Sequence, residues 1–497
     1  MLSIPGLPSM LCRVLFCCLQ IQATSLFAAD DPRVVWEYSG GFGKSWLAHE
    51  GGTKWMAWLG NSTSLIHVEE GRTPEYIQLR AVETGLQVRL YAGRGQIKRA
   101  SETQWKTWSA KGNWVGRDRL PKAAVSFPDY QIRVVYFVPS DREPIAHYDA
   151  KIRVLLSYVE ELYRSSPSLR REQLDGLPFE REGDEIQVHL VKASQPVSYF
   201  NEGWEKRDGT QFGRILKYLR ENEHDPSRRV TLVIPETWED TPVEEGWAGH
   251  EARATVFPPD GGLAIYSGWI LQDRFCATTV EAQRDILFDR TPVIGRKSFT
   301  LRNPNSPTFE FVENAIGGVA HELGHALGLP HDYRDPNRNI MANGFRKIQT
   351  NFTPRTSPTD FVGFSVDNAR LLMSSRYLAK DLKLDDYDPP EVQAGIRATR
   401  KPGQLLVTLN LKDNTRLRAA VIVRMDSSGR LLKGMPLRGQ SQVVRELIDG
   451  GINDATEEFR ILVTDDGGNT TTTPRRLGSH SIRSQSDHRM SNGQVLK

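Results

Sequence analysis

The sequence predicts a multidomain protein in which an α+β domain of catalytic size lies between an N-terminal all-β domain and a C-terminal β-sandwich. A chain of 497 residues is too long for one hydrophobic core, so several domains are expected. Three patterns set the boundaries: short alternating runs before residue 129, alternating strands and helices from 129 to 387, and a series of short strands from 388 to 476.

Residues 1–29 have the pattern of a signal peptide. Arg13 is followed by a mostly apolar stretch that ends at Ala28 and Ala29. We therefore expect removal of this segment and secretion to the extracellular space or the periplasm; a buried N-terminal helix is the alternative. Of the four cysteines only Cys276 remains in the mature chain, so no disulfide framework is expected.

Residues 30–128 predict a small β accessory domain, because short alternating runs such as Tyr76–Leu79 recur between glycines. Seven of the 11 tryptophans of the chain fall here: Trp36, Trp46, Trp55, Trp58, Trp105, Trp108 and Trp114. Aromatic clusters in small β domains normally fill the interior, so core packing is the expected role. A carbohydrate-binding surface is the alternative that the pattern leaves open.

Residues 129–387 alternate between strand and helix patterns, which indicates an α+β unit large enough for catalysis. Strands are predicted at Gln131–Val138, Ile186–Val191, Val230–Ile234 and Gly262–Trp269, and helices at Ile152–Leu162 and Gln211–Asn222. The Pro- and Gly-containing stretch Pro292–Pro307 is predicted as a surface loop.

Residues 388–476 read as a succession of short strands, which is typical of an Ig-like β-sandwich. The strands are predicted at Val392–Ala398, Leu405–Leu411, Ala420–Met425, Val443–Leu447 and Phe459–Thr464, with a turn at 465–469 before a last strand. The polar tail 477–497 is predicted to be disordered.

The composition argues against two classes of protein. With 64 Lys and Arg against 61 Asp and Glu, the chain is nearly neutral and has no long basic run, so no nucleic-acid partner is expected. Beyond the signal segment no apolar run is long enough to cross a bilayer, so no membrane span is expected after signal removal.

The segment 321–332, His-Glu-Leu-Gly-His-Ala-Leu-Gly-Leu-Pro-His-Asp, has the spacing of a metal site. It lies at the end of a predicted helix that begins near Glu313. Residues four apart share one face of a helix, so His321 and His325 can both bind one zinc ion. Glu322 projects beside the metal, where it can act as a general base toward water.

The third ligand requires the chain to turn back toward the metal. Gly328 can end the helix in a left-handed conformation that other residues disfavour, and Pro330 stiffens the turn that follows. His331 then completes a site of three nitrogen ligands with a fourth position open for water or a peptide carbonyl.

These residues resemble the signature of the metzincin zinc metallopeptidases, His-Glu-x-x-His-x-x-Gly-x-x-His followed by a methionine-bearing turn. Met341 resembles that methionine, whose side chain would form an apolar floor under the imidazoles. Asp332 resembles a carboxylate of the reprolysin branch that ties the motif to the structure below it. No tyrosine follows Met341 at two residues, so the tyrosine ligand of astacin-like members is not expected, and the branch stays open.

The resemblance implies a metzincin-like catalytic domain with Zn²⁺ as cofactor and a protein or peptide substrate bound along an edge strand, for which Gly262–Trp269 is the candidate. In this chemistry zinc polarises the scissile carbonyl and activates water, and Glu322 passes a proton to the departing amine. The sequence therefore predicts a secreted, zinc-dependent endopeptidase.

Two other functions stay open. A secreted adhesion or carbohydrate-binding protein would use the terminal β domains and carry an inactive zinc unit. Loss of Glu322 or of one histidine would favour this function, but all four residues are present. Hydrolysis of a non-peptide amide would use the same residues, and the motif does not exclude it.

The remaining candidate residues receive structural interpretations. His189, His224 and His250 lack ligand spacing. The acidic stretch Asp381–Asp388 could bind calcium, but it lacks the spaced loop pattern and is interpreted as a solvated linker. Cys276 is expected to be a buried structural thiol.

Overall fold

The structure, a computed structural model, describes residues 31–40, 43–59, 63–82, 85–99, 102–108, 111–119, 130–202, 210–222, 224–239, 251–257, 261–298, 304–353, 360–384, 386–401, 403–425, 429–449 and 458–476. The signal segment and the tail predicted above lie outside these residues. The described residues form two compact units: the first takes those up to residue 119 except 63, 64, 81, 82 and 85, and the second takes these five and the residues from 130 onward.

The described part of the first unit forms one sheet of nine strands in the order β8-β7-β6-β5-β4-β3-β2-β1-β9. The strands are Val35–Gly40 (β1), Gly43–Gly51 (β2), Lys54–Leu59 (β3), Thr63–Arg72 (β4), Tyr76–Ala81 (β5), Gln87–Tyr91 (β6), Arg94–Lys98 (β7), Lys106–Trp108 (β8) and Lys111–Val115 (β9), with a 3₁₀ helix at Arg117–Arg119. The N–H of Gly93, between β6 and β7, donates to the carbonyl of Gly112 in β9 at 2.8 Å. Strand β9, at one end of the strand order, therefore approaches the turn between β6 and β7 near the other end, so the sheet curls.

Tryptophans occupy much of the interior of this unit. Trp36 and Trp55 are fully buried, and the ring of Trp36 stacks on that of Trp108 with centroids 5.7 Å apart. Trp46 is also buried, Trp105 and Trp114 are half-buried like Trp108, and the side chain of Trp58 lies outside the described residues. Trp36, Trp55, Trp108 and Trp114 thus pack together in the core, whereas Trp105 lies against Arg89 and Lys98, and carbohydrate binding by this unit stays a prediction.

The second unit is built on a sheet of five strands, counted over the residues the structure describes, in the order β13-β10-β14-β16-β15. The strands are Arg133–Val138 (β10), Val188–Lys192 (β13), Val230–Pro235 (β14), Ala252–Phe257 (β15) and Gly261–Tyr266 (β16), and a hairpin of Arg181–Glu182 (β11) and Glu185–Ile186 (β12) lies apart. The first four strands of the order are parallel, and β15 runs antiparallel along the edge.

Helices cover both faces of this sheet. They are Tyr148–Ser165 (α1), Pro167–Arg171 (α2), Val197–Asn201 (α3), Thr210–Glu221 (α4), Val280–Leu287 (α5), Thr308–Ala326 (α6) and Val366–Leu372 (α7), with 3₁₀ helices at Gly268–Leu271 and Gly344–Phe352. Because side chains alternate along a strand, Val134 and Tyr136 share a core with α1 and α6, while Val135 and Phe137 pack with α3 and α4. In α6, 16 of the 19 residues are buried, so this helix runs through the interior.

The end of the described chain forms two facing antiparallel sheets, β17-β18-β21 and β20-β19-β22-β23. Their strands are Glu391–Ala398 (β17), Gln404–Lys412 (β18), Leu417–Arg424 (β19), Arg430–Pro436 (β20), Ser441–Asp449 (β21), Glu458–Asp465 (β22) and Thr470–Arg476 (β23). Alternate residues such as Val392, Ala394 and Ile396 point into a core that both sheets share. We call this part the sandwich; its strand β20 is absent from the sequence prediction.

The sandwich and the five-stranded sheet belong to one unit and share buried residues. Val421, Val423 and Leu431 of the sandwich lie in the same hydrophobic core as α6. The predicted combination of several sheets with a mixed α and β part is thus confirmed. Within the described residues, no helix has the length and apolar character required to cross a membrane.

Candidate metal centre

Three histidines converge at the end of α6. The Nε2 atom of His325 lies 3.1 Å from the Nε2 atom of His321 and 3.1 Å from that of His331. His321 and His325 are one helical turn apart and therefore share a face, as their spacing predicts. Imidazole nitrogens pointing at one common position form a donor set that fits a divalent transition metal such as zinc.

The turn that brings in His331 is a Schellman motif. The N–H of Gly328 donates to the carbonyl of His325 at 2.9 Å, and the N–H of Leu329 donates to that of Gly324 at 2.9 Å. Gly328 has a φ of 92°, a left-handed conformation that residues with a Cβ rarely adopt. The glycine thus ends the helix at the point where the chain must reverse.

Replacing Gly328 with Ala should destabilise the zinc-free protein by about 1–2 kcal/mol, because the added Cβ strains the left-handed backbone. The position is otherwise open, since the nearest atom to the added methyl group would be Val256 Cγ2 at 3.9 Å. The urea midpoint of unfolding measures this effect. Gly213→Ala is the matched control: this exposed glycine lies inside α4 with nothing near its Cβ position, so alanine should stabilise there by about 0.5–1 kcal/mol. Equal shifts in both variants would contradict the role assigned to Gly328.

Backbone carbonyls orient two of the three rings. Nδ1 of His321 lies 2.7 Å from the carbonyl oxygen of Ile340, and Nδ1 of His325 lies 2.7 Å from that of Leu329. A carbonyl only accepts, so each Nδ1 carries the proton and each Nε2 keeps its lone pair for a metal. Burial lowers the pKa of His325 to about 4, and burial also holds the pKa of His321 well below its usual range. Both rings are therefore neutral at neutral pH, which is the form that binds metals.

Glu322 follows His321 on α6 and is half-buried. Burial, together with the carboxylate of Glu251 and against the opposing effect of Arg253, raises the pKa of Glu322 to about 8. A cation held by the imidazoles acts in the opposite direction, since an opposite charge favours the carboxylate. The cation thus favours the ionised carboxylate, which is the form that can act as a general base.

Met341 packs against α6 near the histidines of that helix. It is fully buried, and its thioether packs against Gly324, which lies between His321 and His325 along the helix. The Met341 carbonyl also accepts a hydrogen bond from the N–H of Asp332 at 2.9 Å. The turn with Met341 thus supports both the helix and the third histidine.

Asp332, in the loop after His331, is linked through Arg334 to a second carboxylate, Asp367, which the sequence analysis missed. Fully buried, Asp332 accepts from Nε of Arg334 at 2.8 Å and from its Nη2 at 2.5 Å. Burial would raise the pKa of Asp332, but the Arg334 guanidinium outweighs it and lowers that pKa. Arg334 also donates to Asp367 at 2.6 Å. Nothing in the local sequence indicates this link, because Asp367 is 35 residues beyond Asp332.

The prediction that Gly262–Trp269 is the edge strand near the site is wrong. The strand there, Gly261–Tyr266, is paired on both sides, by β14 and by β15, and a 3₁₀ helix replaces its predicted end. The edge position belongs to β15, Ala252–Phe257, which packs beside α6. Its half-exposed side chains, several of them short or polar, do not form the alternating pattern that predicts a strand.

The other histidines and the cysteine considered in the sequence do not join the three converging histidines within the described residues. His189 and His224 contact each other, with ring centroids 5.8 Å apart, and Nε2 of His189 lies 2.9 Å from a Glu180 oxygen. They belong to no metal-binding group within the described residues, and His250 lies outside those residues. Cys276 is buried and reduced, and burial raises the pKa of its thiol to about 12, so it is unreactive.

Part of the acidic stretch predicted as a solvated linker is buried instead. Asp386 meets Asp413 and Asp465 of the sandwich, each with one carboxylate oxygen within 4.8 Å of the others. Asn414 and Thr415 donate to Asp386 at 2.9 and 2.8 Å. The interpretation as a linker is therefore wrong for Asp386, which joins the sandwich core. We call these three carboxylates the acidic trio.

No model of a known protein family matches the chain, and no curated protein matches it. Crystal structures of OgpA from Akkermansia muciniphila are similar in part. The catalytically inactive form in complex with an O-glycopeptide, glycodrosocin, is 18% identical with a TM-score of 0.45 and covers 71% of this chain and 96% of its own. A wild-type form is 18% identical with a TM-score of 0.46 and covers 73% and 99%. A likeness of this size assigns neither a substrate nor an activity to the chain.

Proposed function

We propose that this protein is a zinc-dependent endopeptidase of the metzincin type. The observation that carries the proposal is the convergence of three Nε2 atoms at the end of the helix that also carries Glu322, with the other nitrogen of two rings hydrogen-bonded to backbone carbonyls. Such a donor set leaves a coordination position open, as catalytic zinc sites do and structural sites do not.

The three histidines and Glu322 have different roles in the proposed peptide hydrolysis. His321, His325 and His331 would hold the zinc ion, which supplies the Lewis acidity that polarises a scissile carbonyl and makes water a nucleophile at neutral pH. Glu322 removes a proton from the attacking water and delivers it to the departing amine. No side chain forms a bond to the substrate in this scheme.

The edge strand β15 offers a place for an extended substrate. Its residues 252–257 pair with β16 on one side, so the N–H and C=O groups of the other side can pair with a peptide. The strand also lies beside α6, where Glu322 and two of the histidines stand. A peptide added to this edge would therefore pass the catalytic group.

We propose removal of residues 1–29 on secretion to the extracellular space or periplasm, an accessory domain at 30–128, a catalytic domain at 129–387 and an Ig-like sandwich at 388–476. The sandwich is supported by its two antiparallel sheets around one core. Protein or peptide is the proposed substrate, and carbohydrate binding is assigned only to the first unit.

Metal analysis together with a cleavage assay tests this function. We expect the chain from residue 30 to contain one zinc ion, to cleave casein or members of a peptide panel with and without O-linked glycans, and to lose this activity on treatment with a chelator. Zinc added back should restore cleavage, because the imidazoles are held ready in their neutral form. Cleavage that persists after complete removal of metal would contradict the proposal, and zinc binding without any cleavage would favour a binding protein.

A further inference from the structure

Strand β20 of the sandwich reaches the third histidine of the metal centre. The N–H of Leu431 donates to the carbonyl of His331 at 2.8 Å, and His331 forms a parallel bridge with Arg430. The guanidinium of Arg430 also lies over the ring of Tyr333, 5.1 Å from its centroid. β20 is an edge strand of its own sheet, so its outer side is available to pair with the histidine loop.

A second connection runs through Asp367 at the start of α7. This buried carboxylate accepts from Arg334 at 2.6 Å, from Arg370 at 2.6 Å and from the N–H of Gly434 in β20 at 3.0 Å. Arg334 in turn holds Asp332, the residue after His331. Asp367 thus joins the loop of the third histidine to the sandwich.

The contact at Gly434 leaves no room for a side chain. A Cβ at this position would lie 2.2 Å from Cγ of Asp367, far inside van der Waals contact. Glycine therefore permits the close approach of β20 to Asp367, and a larger residue must push the two apart.

We infer that Asp367 and strand β20 are positioning elements of the metal centre, so that the sandwich contributes to zinc affinity rather than acting as a separate accessory domain. His321 and His325 are placed by their helix, whereas His331 lies on a loop whose backbone is held by Leu431 and, through Arg334, by Asp367. A metal-binding side chain that becomes ordered only when zinc binds lowers the affinity for zinc. Contacts that fix the His331 loop in advance therefore strengthen zinc binding. The inference rests on the proposed zinc site.

The test is the zinc dissociation constant, measured by competition with a chelator of known affinity on the chain from residue 30. We expect Asp367→Asn and Gly434→Ala each to weaken zinc binding about 10- to 100-fold, the range for groups that support metal ligands. The visible spectrum of bound Co²⁺, which reports coordination geometry, should change as well. A role in stability alone would lower the melting temperature of the zinc-free protein without changing this spectrum.

Two matched variants serve as controls. Gly395→Ala lies on β17 in the other sheet of the sandwich, with nothing near its Cβ position, and Asp449→Asn removes an exposed carboxylate of β21. Both should bind zinc like the wild type. Wild-type affinity in Asp367→Asn would overturn the inference even if Gly434→Ala fails to fold. Absence of zinc binding in the wild type would instead overturn the proposed function on which the inference depends.

Discussion

Replacing Glu322 with Gln should reduce kcat for peptide cleavage by about 10²–10⁴-fold, the contribution usually made by a positioned general base. The amide has nearly the shape of the carboxylate but cannot accept a proton from water. The zinc content should stay at one ion per chain, because Glu322 is not among the three converging side chains. Steady-state kinetics on the best peptide of the panel, with metal analysis of the same sample, gives both quantities.

Glu251 provides the control for this experiment, since its carboxylate is near enough to Glu322 to raise the pKa of that residue. Glu251→Gln removes a neighbouring negative charge without touching the proposed base. It should keep most of the activity and move the acid limb of the pH profile of kcat/KM to lower pH, because the like charge no longer opposes ionisation of Glu322. Full activity in Glu322→Gln with loss in Glu251→Gln would show that the base had been assigned to the wrong carboxylate.

The geometry of the three histidines follows from local rules, which is why the sequence was sufficient to predict it. The four-residue spacing of His321 and His325 determines their shared face, and Gly328 takes the left-handed conformation that the motif requires. Met341 packs against Gly324 of the same helix, and its expected role as a floor under the imidazoles stays a prediction. Each of these relations depends on fewer than about two dozen consecutive residues.

The parts that could not be predicted depend on contacts between distant segments. Strand β20 has an interrupted apolar pattern, because Gly434 stands where Asp367 approaches from 67 residues away. Strand β15 is an exposed edge whose side chains show little alternation of burial. The acidic trio combines residues 386, 413 and 465, so only the fold reveals that their charges meet. Hydrophobic periodicity shows which face of a segment is buried, but it does not show which distant residues that segment contacts.

Replacing Asp465 with Asn should stabilise the sandwich at pH 8. Asp465 is fully buried, and burial together with Asp413 and Asp386 raises its pKa to about 7 from an ordinary value of 3.8, despite hydrogen bonds from Asn469. A carboxyl group whose pKa is higher in the folded state favours folding when protonated. Stability contributed by this group is therefore complete below about pH 4 and is lost as the pH rises through about 7. A shift of this size corresponds to a few kcal/mol at most, on the order of 1–3 kcal/mol in practice.

The asparagine of Asp465→Asn is uncharged at both pH 4 and pH 8. The variant should therefore be more stable than the wild type at pH 8, and this difference in stability should nearly vanish at pH 4. Urea midpoints of zinc-free protein, with EDTA present so that no cation neutralises the acidic trio, measure the difference. Asp449→Asn, which removes an exposed carboxylate of the same sandwich, should change little at either pH. Equal destabilisation of Asp465→Asn at both pH values would mean that the hydrogen bonds of Asp465 with Asn469 outweigh the repulsion within the acidic trio, since Asn keeps only one of the two accepting oxygens.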